Sequence, residues 1–201
     1  MPADQKLDVY RADQLDVDRA MVLVIDIQEK LLPLIRRGDA VAGNACRLLD
    51  GAGVFGLPVM ATEQYPKGIG RTVGSVREAL ARRAAKFIEK AAFSAWSEPA
   101  VREELLAIDR PQVVIAGIET HVCVQQSALD LRSRDYDVFV CADAVGSRGK
   151  VDHKTALDRM RQAGVFVTTI ESVLFELCRR YDTAKFKQML EIVKQTDPPR
   201  H

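Results

Sequence analysis

Two short runs, MVLVI at 21–25 and VVIA at 113–116, are apolar at consecutive positions rather than at every second one. A strand with one wet face alternates, whereas a strand covered on both faces has no need to. The first run gives a strand over 21–26 that ends on Asp26, and PQVVIAG gives another. Between and after them the pattern switches repeatedly. AVAGNACRLLDGAG reads as a helix with Gly51 and Gly53 as stop signals. LPVMATE and AKFIEK read as strands, the second with Lys90 at its exit. EPAVREELLAI reads as a helix whose buried stripe is Val101, Leu105, Leu106 and Ile108. HVCVQQSALDLRSR, YDVFVCADAV, DHKTALDRMRQAG, GVFVTT and ESVLFELCRR continue as helix, strand, helix, strand and helix. Phe186, Met189, Leu190 and Val193 then repeat at helical spacing. This order predicts an α/β fold, three layers α/β/α with a mostly parallel central sheet. The expected organisation is one domain over 1–201, with an N-terminal extension at about 1–18 and a docking helix at about 183–195.

A chain of 201 residues buries one respectable core. Its formal charge is +1, with Lys and Arg dispersed, so no nucleic-acid partner is expected. The start MPADQKLDVYRADQ lacks the basic and apolar parts of a leader, and no apolar run reaches membrane-spanning length. The expectation is a cytoplasmic protein with no membrane partner. Four cysteines, at 46, 123, 141 and 178, show no CxxC spacing, and the only histidines are 121, 153 and 201. Free thiols fit better than a disulfide scaffold or zinc finger. The glycines of GIGRTV and GKVDH make no phosphate-binding motif, and no cofactor is expected.

Open parallel sheets bind ligands beyond the carboxyl ends of their strands. Asp26, Lys90 and Asp143 fall at such ends, and Cys123 starts the helix after VVIAG. A thiolate attacks carbonyls, and a helix start or a nearby lysine favours the thiolate. A carboxylate can take the thiol proton and later return it to a leaving amine. Each residue also has a plain structural reading. Cys123 can be packing, Asp26 a helix cap, Lys90 a solvent-facing end and His121 a cover over the helix start. Cys141 is the rival nucleophile; Cys46 and Cys178 read as core. QYPKGIGRTVGS at 64–75 reads as a loop and a candidate lid, with Lys67 or Arg71 available to a substrate carboxylate or simply facing solvent.

Six stretches together resemble the isochorismatase-like cysteine hydrolases, especially their small single-domain members: VLVIDIQEKLL, ATEQYPKGIGRTV, FIEKAAFSAW, GIETHVCVQQSALDL, VFVCADAVGSR and TTIESVLFEL. The resemblance implies a catalytic triad of Asp26, Lys90 and Cys123. It implies a cis peptide between Ile118 and Glu119, with the amides of Glu119 and Cys123 as an oxyanion hole. Gln28 lies in the first motif, as a support to the site or as a solvent-facing helix start. Phe93, Trp96, Thr120 and His121 are further candidate pocket residues, with core packing as the alternative for the two aromatics. Family members form dimers or larger assemblies, so a homo-oligomer is expected. The Asp-x-His metal element of nicotinamidases is missing, since no histidine precedes residue 121, and no metal is expected. The leading expectation is hydrolysis of a small amide or related C–N bond through a thioester. The alternatives are hydrolysis of an isochorismate-like vinyl ether, or a partner-binding module that keeps the fold.

Overall fold

A computed structural model describes residues 13–195. Residues 1–12, most of the expected N-terminal extension, lie outside the described residues. Within the rest of it, Leu15 is fully buried and its amide donates to Glu176 Oε2 at 3.1 Å.

In chain order the elements are β1 (Ala20–Ile25), a 3-10 turn (Leu32–Leu34), α1 (Gly38–Phe55), β2 (Val59–Gln64), α2 (Pro66–Ile69), α3 (Gly74–Ala81) and β3 (Lys86–Lys90). Then come α4 (Pro99–Ile108), β4 (Gln112–Ile118), a π-helical turn (Thr120–Val124), α5 (Gln125–Arg132), β5 (Asp137–Gly146), α6 (Lys150–Gln162), β6 (Phe166–Thr168), α7 (Ile170–Cys178) and α8 (Ala184–Val193). All six strands run parallel, in the order β3-β2-β1-β4-β5-β6.

The apolar runs are explained by burial on both faces. In β1, Ala20, Val22 and Val24 pack into one cluster with α1, α3, α7 and α8. Met21, Leu23 and Ile25 pack into a second cluster with α4, α5 and α6. Successive side chains of a strand point to opposite faces, so a strand between two helical layers is apolar at every position.

Several boundaries differ from the sequence reading. Strand β1 stops at Ile25, and Asp26 follows it at φ 53°, in the left-handed region. Helix α1 runs through Gly51 and Gly53 and stops at Gly56, which is left-handed at φ 75°. Gly51 serves close packing instead: a Cβ there would meet Leu174 Cδ2 at 2.2 Å. The 64–75 stretch holds the end of β2, all of α2 and the start of α3. Leu106 points outward at 58% exposure, because Val101 and Leu105 already fill the buried stripe of α4.

Candidate functional site

Strand order decides where the site lies. The chain leaves β1 toward β2 and β3 on one side, and β4, β5 and β6 occupy the other. The switch point is therefore between β1 and β4, where a parallel sheet opens a crevice at its carboxyl edge. Asp26 leaves β1 there, and the segment from Gly117 to Cys123 leaves β4 beside it, with Ile25 paired to Gly117. Close approach requires the glycine. At φ 150°, a Cβ on Gly117 would meet Ile25 O at 2.3 Å.

Lys90 ends β3 two strands away, yet its side chain reaches Asp26. The Nζ–Oδ2 distance is 2.8 Å, and both side chains are 0% exposed. The ammonium also donates to Gln64 Oε1 at 2.6 Å, Ala92 O at 3.1 Å and Phe93 O at 3.2 Å. With the Asp26 carboxylate, the ammonium meets four acceptors with three protons. Thr62 Oγ1 donates to the other carboxylate oxygen, Asp26 Oδ1, at 2.8 Å. Asp26 Oδ2 faces the ammonium, and the Cys123 thiol interacts with the same carboxyl group.

Cys123 is 6% exposed and sits in the π turn, directly before α5. The Ile118–Glu119 peptide before that turn is cis. The thiol interacts with both Asp26 and Lys90. Its pKa is pushed up to about 12, first by burial and then by the Asp26 charge, with Lys90 pulling the other way. Lys90 thus favours the thiolate, as expected of a nearby lysine, but does not prevail. Desolvation and the carboxylate outweigh the single cation. Cys141, the rival, is wholly buried inside β5, and burial raises its thiol pKa well above the ordinary value.

Other candidate residues take different places. Gln28 is fully buried and faces no solvent. Its amide donates to Gln64 O at 3.0 Å and Gly70 O at 2.6 Å, and its Oε1 accepts from Gln64 N at 2.8 Å. It fixes the residue that holds Lys90. The 64–75 segment is tethered at several points. Lys30 Nζ donates to Gly68 O, and Arg71 pairs with Glu63 at 2.8 Å and Glu89 at 2.6 Å. Arg71 is therefore engaged, and Glu63 is held by Thr72 N and Thr72 Oγ1, each at 2.8 Å. Phe93 is exposed, and only its carbonyl meets Lys90. Trp96 lies under Arg134, 4.9 Å from its guanidinium carbon, and edge-on to Tyr136 at 6.0 Å. It packs against the second core cluster, the packing alternative given for it above. Asp143 is inside β5, where it accepts the Ile170 amide at the start of α7.

Glu119 and His121 are tied to the connection between β5 and α6, and Thr120 to the first turns of α6 itself. Glu119 Oε2 accepts from Arg148 N at 3.1 Å, Thr120 Oγ1 meets His153 Nδ1 at 3.0 Å, and His121 Nδ1 meets Ser147 Oγ at 3.0 Å. Thr62, Gln64, Ser147, Arg148 and His153 were not singled out from the sequence. Nothing local marks them, because each acts on a residue 26 to 36 positions away. Among the described residues, no three His, Cys, Asp or Glu side chains cluster as metal ligands. No helix among them is long and apolar enough to cross a membrane.

The isochorismatase domain family matches residues 20–172, which carry all of this geometry. The chain belongs to the isochorismatase-like hydrolase family. Isochorismatase domain-containing protein 2 of Xenopus laevis is 39% identical over 189 residues, which cover 94% of this chain and 90% of that one. The chain spans 67% and 60% of two fish relatives named isochorismatase domain-containing protein 1, from Danio rerio and Salmo salar. A MAR1 ribonuclease from Caenorhabditis elegans superposes at TM-score 0.86 with 34% identity, covering 92% of this chain and 95% of its own. The Escherichia coli YcaC gene product, described as an octameric hydrolase of unknown specificity, gives TM-score 0.83 and 32% identity, with coverage of 89% and 90%. Isochorismatase-like fold and family make this chain a hydrolase-type enzyme. They also correct the sequence-based exclusion of nucleic acid. A protein of the same fold, at 34% identity, is described as a ribonuclease. A near-neutral, dispersed charge therefore does not rule that partner class out.

Proposed function

We propose that this enzyme hydrolyses a small amide or related C–N bond through a thioester on Cys123. The observation that carries the reading is the buried Asp26–Lys90 pair at 2.8 Å, in contact with the Cys123 thiol at the sheet's switch point. Because the resting thiol is protonated, proton transfer and attack belong to one step. The Cys123 S–H proton passes to Asp26 as sulfur bonds to the substrate carbonyl carbon. The carbonyl oxygen becomes an oxyanion, received by the amides of Glu119 and Cys123. Asp26 then protonates the amine nitrogen, the C–N bond breaks and a thioester remains. Water attacks that thioester while Asp26 takes its proton. The sulfur leaves as thiolate, recovers the proton from Asp26, and the acid departs. Lys90, oriented by Gln64, Ala92 and Phe93, offsets the charge that develops on sulfur and oxygen. A homo-oligomer, dimer or larger, is the working assembly in this reading, supported by the octameric YcaC product.

The test is a panel of small primary amides and ureido acids, read as ammonia release beside a Cys123→Ala control. Cysteine-dependent release supports the reading, and full turnover by Cys123→Ala on the same substrate overturns it. Pyruvate release from an isochorismate-like ether would assign vinyl ether hydrolysis instead. The likeness to the C. elegans ribonuclease favours a second reading, RNA as substrate. Cleavage of a labelled single-stranded RNA that persists in Cys123→Ala, in which ammonia release is lost, would separate that activity from the amidase.

A further inference from the structure

A cavity of about 280 Å³ opens between the start of α1, the carboxyl end of β5 and the start of α6. Asp26, Lys90 and Cys123 do not line it. Its cationic lining is Arg36, Arg37 and Lys150, joined by the imidazole of His153. None of the three cations is ion-paired among the described residues. Neighbouring cations are paired: Arg148 meets Glu119 at 3.2 Å, and Lys154 meets Asp158 at 3.1 Å. The one carboxylate lining the cavity, Asp143, is already turned to the Ile170 amide. Helix α6 also begins here, with its own first-turn acid, Asp152, folded back against the N-cap Gly149. The three cations are exposed and have no ion-pair partner among the described residues, so they repel one another through solvent, and an anion among them lowers that cost.

We infer that this cavity is a second binding site, taking a small molecule that bears a phosphoryl or carboxylate oxyanion. Guanidinium groups grip such oxygens in a bidentate fork, which suits Arg36 and Arg37. The volume suits one small molecule, whereas a nucleic-acid backbone needs cations along a stripe. The site is also placed to report to the reactive turn. His153 and Ser147 both line the cavity and are the hydrogen-bond partners of Thr120 and His121. Those residues lie three and two positions before Cys123.

The test titrates the full chain with inorganic phosphate and with citrate, at ionic strength held constant with chloride, by calorimetry and by the His153 ring resonances. Saturable binding is expected for at least one probe, and the one that binds tells phosphoryl from carboxylate chemistry. Arg36→Gln/Lys150→Gln should weaken it by at least about tenfold. Arg159→Gln/Lys187→Gln, which removes the same charge from exposed positions elsewhere, should leave it unchanged. Equal weakening in both double variants would reduce the effect to general electrostatics and overturn the site. Failure of both probes to bind, or binding that leaves the His153 resonances unmoved, also overturns it. So does binding of single-stranded RNA that is lost in the first double variant while phosphate and citrate do nothing, an outcome that assigns a nucleic-acid surface. The wild-type resonance shift needs no variant, so the proposal stays testable if the first double variant misfolds.

Discussion

Lys90 Nζ lies 2.8 Å from Asp26 Oδ2 with neither side chain exposed, although the two residues are separated by an intervening strand, β2. Burying two charges together is costly unless each is further satisfied. Here Thr62 serves the carboxylate, and Gln64, Ala92 and Phe93 serve the ammonium. Removing one partner therefore strands the other.

Lys90→Met should lower stability in urea unfolding by about 3–5 kcal/mol, because it leaves Asp26 buried without a counter-charge. Asp26→Asn should cost less, since asparagine tolerates the left-handed backbone at φ 53° and still accepts from Thr62. If Lys90→Met unfolds at the wild-type urea midpoint, the pair is not holding the fold as described.

Turnover and thiol reactivity should move in opposite directions in Asp26→Asn. Loss of the base should cut cysteine-dependent hydrolysis by about 10²–10⁴-fold. The same change removes a negative charge that raises the Cys123 pKa, so alkylation by iodoacetamide should become faster. Parallel loss of both activities would show that the variant had merely collapsed the site.

The pH profile of Cys123 alkylation in the wild type should rise steadily from pH 7 to 10. With a thiol pKa of about 12, only roughly one part in 10⁴ is thiolate at pH 8. A plateau below pH 8, measured by mass spectrometry of the Cys123 peptide, would mean that the thiolate is already formed at rest.

Glu63 links acid stability to the 64–77 segment. Burial alone raises its pKa, but the Thr72 amide and the Arg71 guanidinium outweigh that and hold the carboxyl below its ordinary value. A depressed folded pKa gives stability that is present above the unfolded value, about 4.3, and is lost as pH falls through the folded one. Glu63→Gln should therefore unfold at lower urea than wild type at pH 7, and the gap should narrow as pH drops below 4. A gap independent of pH would contradict the linkage.

Gly117→Ala should damage stability and reactivity together. Its φ of 150° is unfavourable for a side chain, and the new Cβ would meet Ile25 O at 2.3 Å. A cost of about 1–3 kcal/mol is expected from backbone strain alone, before any displacement of the turn that carries Cys123. Thermal unfolding unchanged from wild type would refute the close approach of β1 and β4.

The elements themselves were legible because their signals are local. Consecutive apolar residues at 21–25 and 113–116 betray a sheet covered on both faces, and glycine and proline mark its turns. Asp26, Lys90 and Cys123 could be picked out as reactive groups at element ends for the same reason. Trp96 was left open between pocket and packing because its partners, Tyr136 and Arg134, lie about forty residues on in the chain.

Taken by itself, the sequence determined the alternation of strand and helix, the two buried faces of the sheet and the residue types available at its carboxyl edge. Tertiary structure decided the rest. Strand order put the switch point between β1 and β4 and carried Lys90 across β2 to Asp26. Burial then set the thiol's protonation, since desolvation depends on everything packed around a group and not on its neighbours in the chain. The partners that hold the site, Thr62, Gln64, Ser147 and His153, are ordinary polar residues until the fold brings them within 3 Å of what they hold. Hydrogen bonds act over that distance alone, so only the folded chain can identify them.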